Sequence, residues 1–463
     1  MRGARIDANS ATTGNFYVKL PMPDNPDPIV IVGGGWAGLS CAVELVDLGH
    51  SVTLLESARQ LGGRARRIAF DTHAVDNGQH ILLGAYHHSL QLLNRLGIDL
   101  DSALFRQGLE LSLLQGDKTA LQLRLPHLIN PLNLLVGLLK LNGLNLKDRW
   151  RALNFGFKLF SNSMVSEEDI SVADLLTAHK QSAHTIRLLW EPICLAALNT
   201  PIEEASAQIF IRVLHDSFCR AYHDADLIIP RLDLGSLLPD RASDHIEGHG
   251  GFVHLSQRVT DITIERRHVV GISTQDRKYE AAHVVLAIPP HACQTLLKPH
   301  AAMHDIAYNM SGFGYHPICT IYLQYPTSVQ TDRPLQGLLG TTTQWLVDRR
   351  ISGQPGVIAA IISGPGKHMQ LDNEQLSAHV QNELQQLFPH WPPAQSVMVI
   401  REKRATFSAH VGINRLRPSN HTPIHGLWLA GDYTNTGYPA TIESAVISGL
   451  QTAKLIHHEV VKT

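Results

Sequence analysis

Ile29-Val-Ile-Val-Gly33-Gly-Gly35-Trp-Ala-Gly38 is the stretch that decides the fold. Four apolar β-branched residues suit a buried strand, and they run directly into Gly33-x-Gly35-x-x-Gly38 and a helical pattern. Gly33 permits the tight strand-to-helix turn, Gly35 lets backbone come close to a pyrophosphate, and Gly38 lets the helix lie against the sheet. The N-terminus of the helix, with Trp36 and Ala37 in its first turn, then faces the negative charge. A second strand, Ser51-Val-Thr-Leu-Leu-Glu56, ends in an acid 21 residues beyond Gly35, where a carboxylate can accept bonds from an adenosine ribose. Strand, turn, helix, strand and acid in this order predict a Rossmann-like α/β unit that cradles a dinucleotide.

Two further blocks extend the cradle. Soon after Glu56 comes a second glycine pair, Gly62-Gly63, followed by Arg64 and Arg66, for which a nicotinamide dehydrogenase has no standard need. Near the other end, Gly426-Leu-Trp-Leu-Ala-Gly431-Asp432 reads as a buried strand delivering a glycine and an acid. Pro439, Ala440, Thr441 and Ile442 then open a helix expected from Ala440 to about His457, whose first N–H groups are unpaired and available to a ligand.

These blocks resemble the flavoprotein superfamily of amine oxidases and carotenoid desaturases. The resemblance implies FAD as cofactor, with Gly62, Gly63 and Arg64 near its diphosphate and flavin. It also implies backbone of Asp76-Asn-Gly78-Gln79-His80 beside the isoalloxazine, Val259 at the adenine, Gly431 and Asp432 at the ribityl or ribose hydroxyls, and the helix after Pro439 at the pyrimidine. Asp76 to Tyr86, Trp190 to Pro201 with Ala205-Ser-Ala207, Asp226 to Arg231 and Gly431 to Glu443 look like the squalene-associated FAD enzymes, the hydroxysqualene dehydroxylases.

That family resemblance implies a chemistry. An acid protonates the hydroxyl of hydroxysqualene, water departs, and hydride from N5 of reduced flavin quenches the allylic cation to give squalene. The proposed acids are His80 first and Glu191 second, with Asp76 read mainly as a tie beneath the flavin and Asp216 and Asp224 also considered. Tyr438, Trp190 and Tyr86 are candidate aromatic faces for the cation. Ser363-Gly-Pro-Gly366 lacks the spacing of a second nucleotide cradle, so the electrons are expected from an external donor. A carotenoid desaturase, a flavin amine oxidase and a non-enzymatic scaffold presenting pathway intermediates remain as rival readings.

Composition agrees with an enzyme. The 463 residues are 44% hydrophobic, enough for two domains with cores, and a formal charge of -2 gives no electrostatic case for nucleic acid. Five scattered cysteines read as thiols in a reducing, cytoplasmic compartment, and no metal-ligand spacing stands out. Residues 1–27 read as a flexible leader. The FAD-binding domain is expected to be discontinuous, over 28–100, 235–299 and 405–457, and the α+β substrate domain over 101–234, largely helical, and 300–404. No window of ~18 uncharged apolar residues exists to span a bilayer. The run Leu125–Leu146, apolar around much of its circumference, is instead read as either a core helix or a peripheral membrane contact near Lys140, Lys147, Arg149 and Arg151.

Overall fold

The computed structural model describes residues 28–126, 128–161, 164 and 168–462, so the leader expected at 1–27 lies outside the described residues. Ile29–Val32 is buried along its whole length and sits in the middle of a five-stranded sheet. The order is Phe252–His254, Val52–Leu55, Ile29–Val32, His283–Leu286, Leu427–Leu429, and every pairing is parallel. Parallel sheets need covered faces, which is why the inner strands are continuous apolar runs. The helix Trp36–Asp47 packs against Pro239–Gly248 and the closing helix Ile442–Lys462. A Cβ at Gly449 would stand 2.2 Å from the Ala37 carbonyl oxygen, so the first and last helices touch backbone to backbone.

Two strands within the 235–299 stretch expected in the FAD-binding domain do not join this sheet. His268–Thr274 pairs instead with Val259–Glu265 on one side and Lys278–Glu280 on the other in a separate three-stranded antiparallel sheet. Only Ile262 is fully buried in Val259–Glu265, and a strand that stays wet cannot occupy the interior of a parallel sheet. The closing helix also begins at Ile442 rather than Ala440, because the Thr441 hydroxyl accepts the Ser444 N–H at 3.1 Å and acts as a cap.

A second, seven-stranded sheet runs Ser396–Phe407, Tyr315–Gln324, Val357–Ser363, Trp345–Asp348, Leu335–Leu338, Glu110–Gln115, Lys118–Arg124. Its last two strands come from the segment expected to be largely helical. Leu111, Leu113, Leu121 and Leu123 are all buried at a period of two, so their leucines belong to a hairpin and not to a helical stripe. The remaining helices, including Glu191–Leu198 and Ala207–Phe218, complete the walls of the space between the two sheets. All five cysteines are free thiols.

Candidate active site

The turn after the first strand is held by backbone. Gly33 has a φ of +110° and a Cβ there would meet the Ala287 carbonyl oxygen at 2.4 Å, so only glycine fits. The Gly62 N–H donates to the Gly34 carbonyl at 2.8 Å, which ties the second glycine pair to the first turn. Glu56 turns inward: its carboxylate accepts the Gly34 N–H and the Ala58 N–H, each at 2.7 Å. The Ser57 hydroxyl also donates to Oε1 at 3.2 Å, and a lone pair on Oε2 stays available to a ribose.

Gly35 is the position that bears on a ligand. Its φ is an ordinary -77°, and a Cβ built on it meets nothing within 4 Å, so no described residue explains why a side chain is missing. The helix that starts there has no side-chain cap and no acid in its first turn. Space for an extra atom beside free N–H groups is what a diphosphate requires.

Arg64 and Asp432 join two of the distant blocks. The guanidinium donates to the Asp432 carboxylate at 2.7 Å and to the Ala405 carbonyl at 2.8 Å. The loop after Asp432 is organised by Arg417, a residue passed over in the sequence. Arg417 is 5% exposed and donates to the carbonyls of Asp432, Thr434 and Tyr438 and to the Thr436 hydroxyl. Burial pushes its guanidinium down to about 10. Glu443 is likewise structural: at 2% exposure, its carboxylate accepts the N–H groups of His88 and Ser89, both at 2.9 Å, and the Ser89 hydroxyl at 2.6 Å, capping the helix His87–Arg95.

The Asp76–His80 turn is anchored from below. Asp76 accepts the Leu234 N–H at 2.7 Å through its carboxylate and the Tyr322 hydroxyl at 3.0 Å through its carbonyl, and burial pushes its carboxyl up to about 6. The Gln79 side chain is fixed by the buried Arg349 at 2.7 Å. His80 Nδ1 lies 2.7 Å from the Gly78 carbonyl oxygen, an acceptor only, so Nδ1 carries the hydrogen and Nε2 is the free ring nitrogen. Burial, helped by the Arg64 charge and only partly offset by the Gly78 carbonyl, holds this imidazole below the ordinary histidine value.

Gly33, Gly35, Glu56, Arg64, His80 and Asp432 border one cavity of about 1420 Å³, and the anchoring residues Asp76, Arg349, Arg417 and Glu443 stand behind its wall. Of the residues singled out in the sequence as cofactor or catalytic positions, all but Gly38, Asp76, Trp190, Glu191 and Asp224 line it. Gly38 serves packing, since a Cβ there would stand 2.0 Å from the Gly33 carbonyl oxygen. Glu191 is exposed, and Ile193, Ala196 and Ala197 of its helix face the cavity in its place. Trp190 is buried away from the cavity, its indole N–H donating to Gln181 at 2.9 Å. Tyr438 lines the cavity, but the Arg212 guanidinium lies 4.8 Å from its ring centre and Asp216 accepts its hydroxyl. Burial alone would raise Asp216; hydrogen bonds from Tyr438 and Arg212 outweigh it and keep the carboxyl below the usual range. The far part of the cavity is apolar, walled by residues such as Leu109, Val213, Leu214, Phe218, Leu335 and Trp345.

The family model for flavin containing amine oxidoreductases matches residues 36–457. The chain belongs to that family. It is an FAD-dependent oxidoreductase, and the uncapped first turn, the open side of Gly35 and the Arg64–Asp432 pair fit that cofactor. Among curated relatives, the hydroxysqualene dehydroxylase of Zymomonas mobilis is 27% identical, covering 92% of this chain and 98% of the relative. A zeta-carotene desaturase of Zea mays is 24% identical, covering 92% and 83%. Among solved structures, the cyclohexylamine oxidase of Brevibacterium oxydans superposes with a TM-score of 0.71 at 17% identity, covering 94% of this chain and all of that one, which shows a shared fold.

Asp47, His245 and His249 also cluster, a His-x-x-x-His spacing passed over in the sequence. The Asp47 carboxylate is already bonded by His245 at 2.6 Å and Arg95 at 3.3 Å, and none of the three lines the cavity.

Proposed function

We propose that the protein carries out the reductive dehydroxylation of hydroxysqualene to squalene, using FAD and an external electron donor. The observation that carries this reading is the cavity itself. It has to hold both FAD, whose cradle residues line it, and the substrate, and beyond the cradle its walls are apolar, as an isoprenoid chain requires. Support comes from the hydroxysqualene dehydroxylases among the relatives. When bound and reduced, FAD supplies the hydride. The chain's part is to hold the isoprenoid against the flavin, exclude water with the leucine-lined walls, and deliver a proton to the departing hydroxyl.

His80 is the residue to which we assign that proton, through Nε2. Because its pKa lies below the ordinary value, the imidazolium is scarce at neutral pH, and kcat/KM is expected to fall as pH rises through the lowered pKa. Tyr86, whose ring borders the cavity, takes the part of the cation-facing aromatic; the face of Tyr438 is already occupied by Arg212.

The test is to photoreduce the purified holoenzyme and add hydroxysqualene. Squalene and reoxidised flavin are the expected products. His80→Ala is expected to keep its yellow colour and lose roughly 10²–10⁴ in turnover together with the pH limb. A polyene formed from phytoene by the oxidised protein, with no squalene from the reduced one, would favour a desaturase.

A further inference from the structure

Half of the exposed large apolar side chains among the described residues fall within one short segment, residues 128–160. They are arranged on two helices that pack against each other, Leu132–Leu139 and Leu146–Phe160. On the first, Leu132, Leu135 and Leu139 are exposed at helical spacing; on the second, Leu146, Trp150 and Phe157 are 80%, 72% and 69% exposed. Ile129, before the first helix, is 72% exposed. Both helices therefore bury one face and offer water a second apolar face, where a surface helix would carry polar residues.

The charges that this segment carries are nearly all basic. Between residues 128 and 161 the sequence holds Lys140, Lys147, Arg149, Arg151 and Lys158 against a single acid, Asp148. That acid is buried and accepts the Asn145 side chain at 2.9 Å. Arg149 pins the hairpin by donating to the carbonyls of Leu139 and Leu144, and Lys140 and Lys147 are exposed. An apolar face whose two helices expose basic residues and no acid of their own complements an anionic lipid surface. No described helix is long and apolar enough to cross a bilayer, so the contact is one of lying on the surface.

We infer that the outer faces of these two helices seat the protein on an anionic phospholipid bilayer, with Ile129, Leu146, Trp150 and Phe157 entering the acyl boundary. This rests on the isoprenoid reading above and extends it to where the substrate comes from. The inner face of Leu146–Phe160 packs on the helix Ala207–Phe218, which supplies Val213, Leu214 and Phe218 to the apolar chamber, and Asn130 donates to the Arg220 carbonyl at the end of that helix at 3.0 Å. One layer of helix thus separates the proposed bilayer contact from the chamber, and a hydrocarbon substrate dissolved in the membrane has a short dry path inward.

The experiment is flotation of the full-length holoenzyme with vesicles of phosphatidylcholine and phosphatidylglycerol. Wild type is expected to float with the vesicles, less so without phosphatidylglycerol or in high salt. The triple variant Leu146→Ser, Trp150→Ser, Phe157→Ser, at positions already in water, is expected to weaken binding on the order of 100-fold. Lys147→Glu is expected to weaken it by at least about fivefold. The triple variant should still turn over detergent-dispersed hydroxysqualene as wild type does, so that an inactive wild type would count against the reaction and not against this surface. Wild type remaining in the soluble fraction at low salt overturns the inference. So does a concentration-dependent dimer that the triple variant abolishes, which would make the face a contact between two copies.

Discussion

At its polar end the cavity is walled by backbone that hydrogen bonds hold in place, and at its apolar end by side chains from scattered elements. Gly33, Gly35, Gly62 and the loop fixed by Arg417 present N–H groups and carbonyls whose positions few sequences can produce. Leu109, Val213, Leu214, Phe218, Leu335 and Trp345 come from separate strands and helices, and share only bulk and hydrophobicity. A fixed diphosphate and flavin demand stereochemistry, whereas a flexible hydrocarbon demands volume. The first requirement leaves motifs; the second is met by many substitutions.

The contrast breaks first at Arg417. Replacing it with Met strands the Tyr438 carbonyl, leaves the Asp432 carbonyl with the Ser444 hydroxyl alone and the Thr434 carbonyl with the Thr436 N–H alone, and is expected to remove about 3–4 kcal/mol of stability by urea titration, with loss of bound FAD. If stability survives, the polar end is not organised as described. The glycines sharpen the same point. Gly33→Ala is expected to destabilise the apoprotein by about 2–3 kcal/mol through a forbidden φ and a clash. Gly35→Ala should leave apoprotein stability unchanged and raise the FAD dissociation constant about 100-fold, read by flavin fluorescence titration.

Asp76 gives a pH-dependent version. Its folded carboxyl is raised from 3.8 to about 6, so its contribution is fully present below the unfolded value and is lost as pH rises through the folded one. Compared with Asp76→Asn, which keeps the acceptor for the Leu234 N–H, wild type is expected to lose about 2–3 kcal/mol between pH 4 and pH 7 in denaturant midpoints. Smallest is Glu191→Gln, expected to change neither turnover nor stability beyond about 0.5 kcal/mol. A large loss of turnover there would return Glu191 to the active site and redraw the apolar end.

How much of this the chain's letters disclosed follows the same division. Gly33, Glu56, Arg64 and Asp432 were readable because each occupies a fixed offset from a strand end. Arg417 was not, because its role depends on where four separate carbonyl and hydroxyl oxygens end up in space. Glu191 was placed in the active site on its neighbourhood in sequence, but a helix shows the cavity only one face, and Ile193 and Ala197 lie on it. The Leu-rich middle was read as helix, although Leu111, Leu113, Leu121 and Leu123 alternate as a strand pair does; short apolar runs carry that ambiguity.

The grip of Glu443 on Ser89 has a consequence for biogenesis. The two residues are 354 positions apart, so at ribosomal speeds of about 5–20 residues per second the early helix waits roughly 20–70 s for its partner to be synthesised. Until then the nascent N-terminal half lacks both its clasp and the edge strand Leu427–Leu429, so the first sheet can close only once the C-terminal segment has been made.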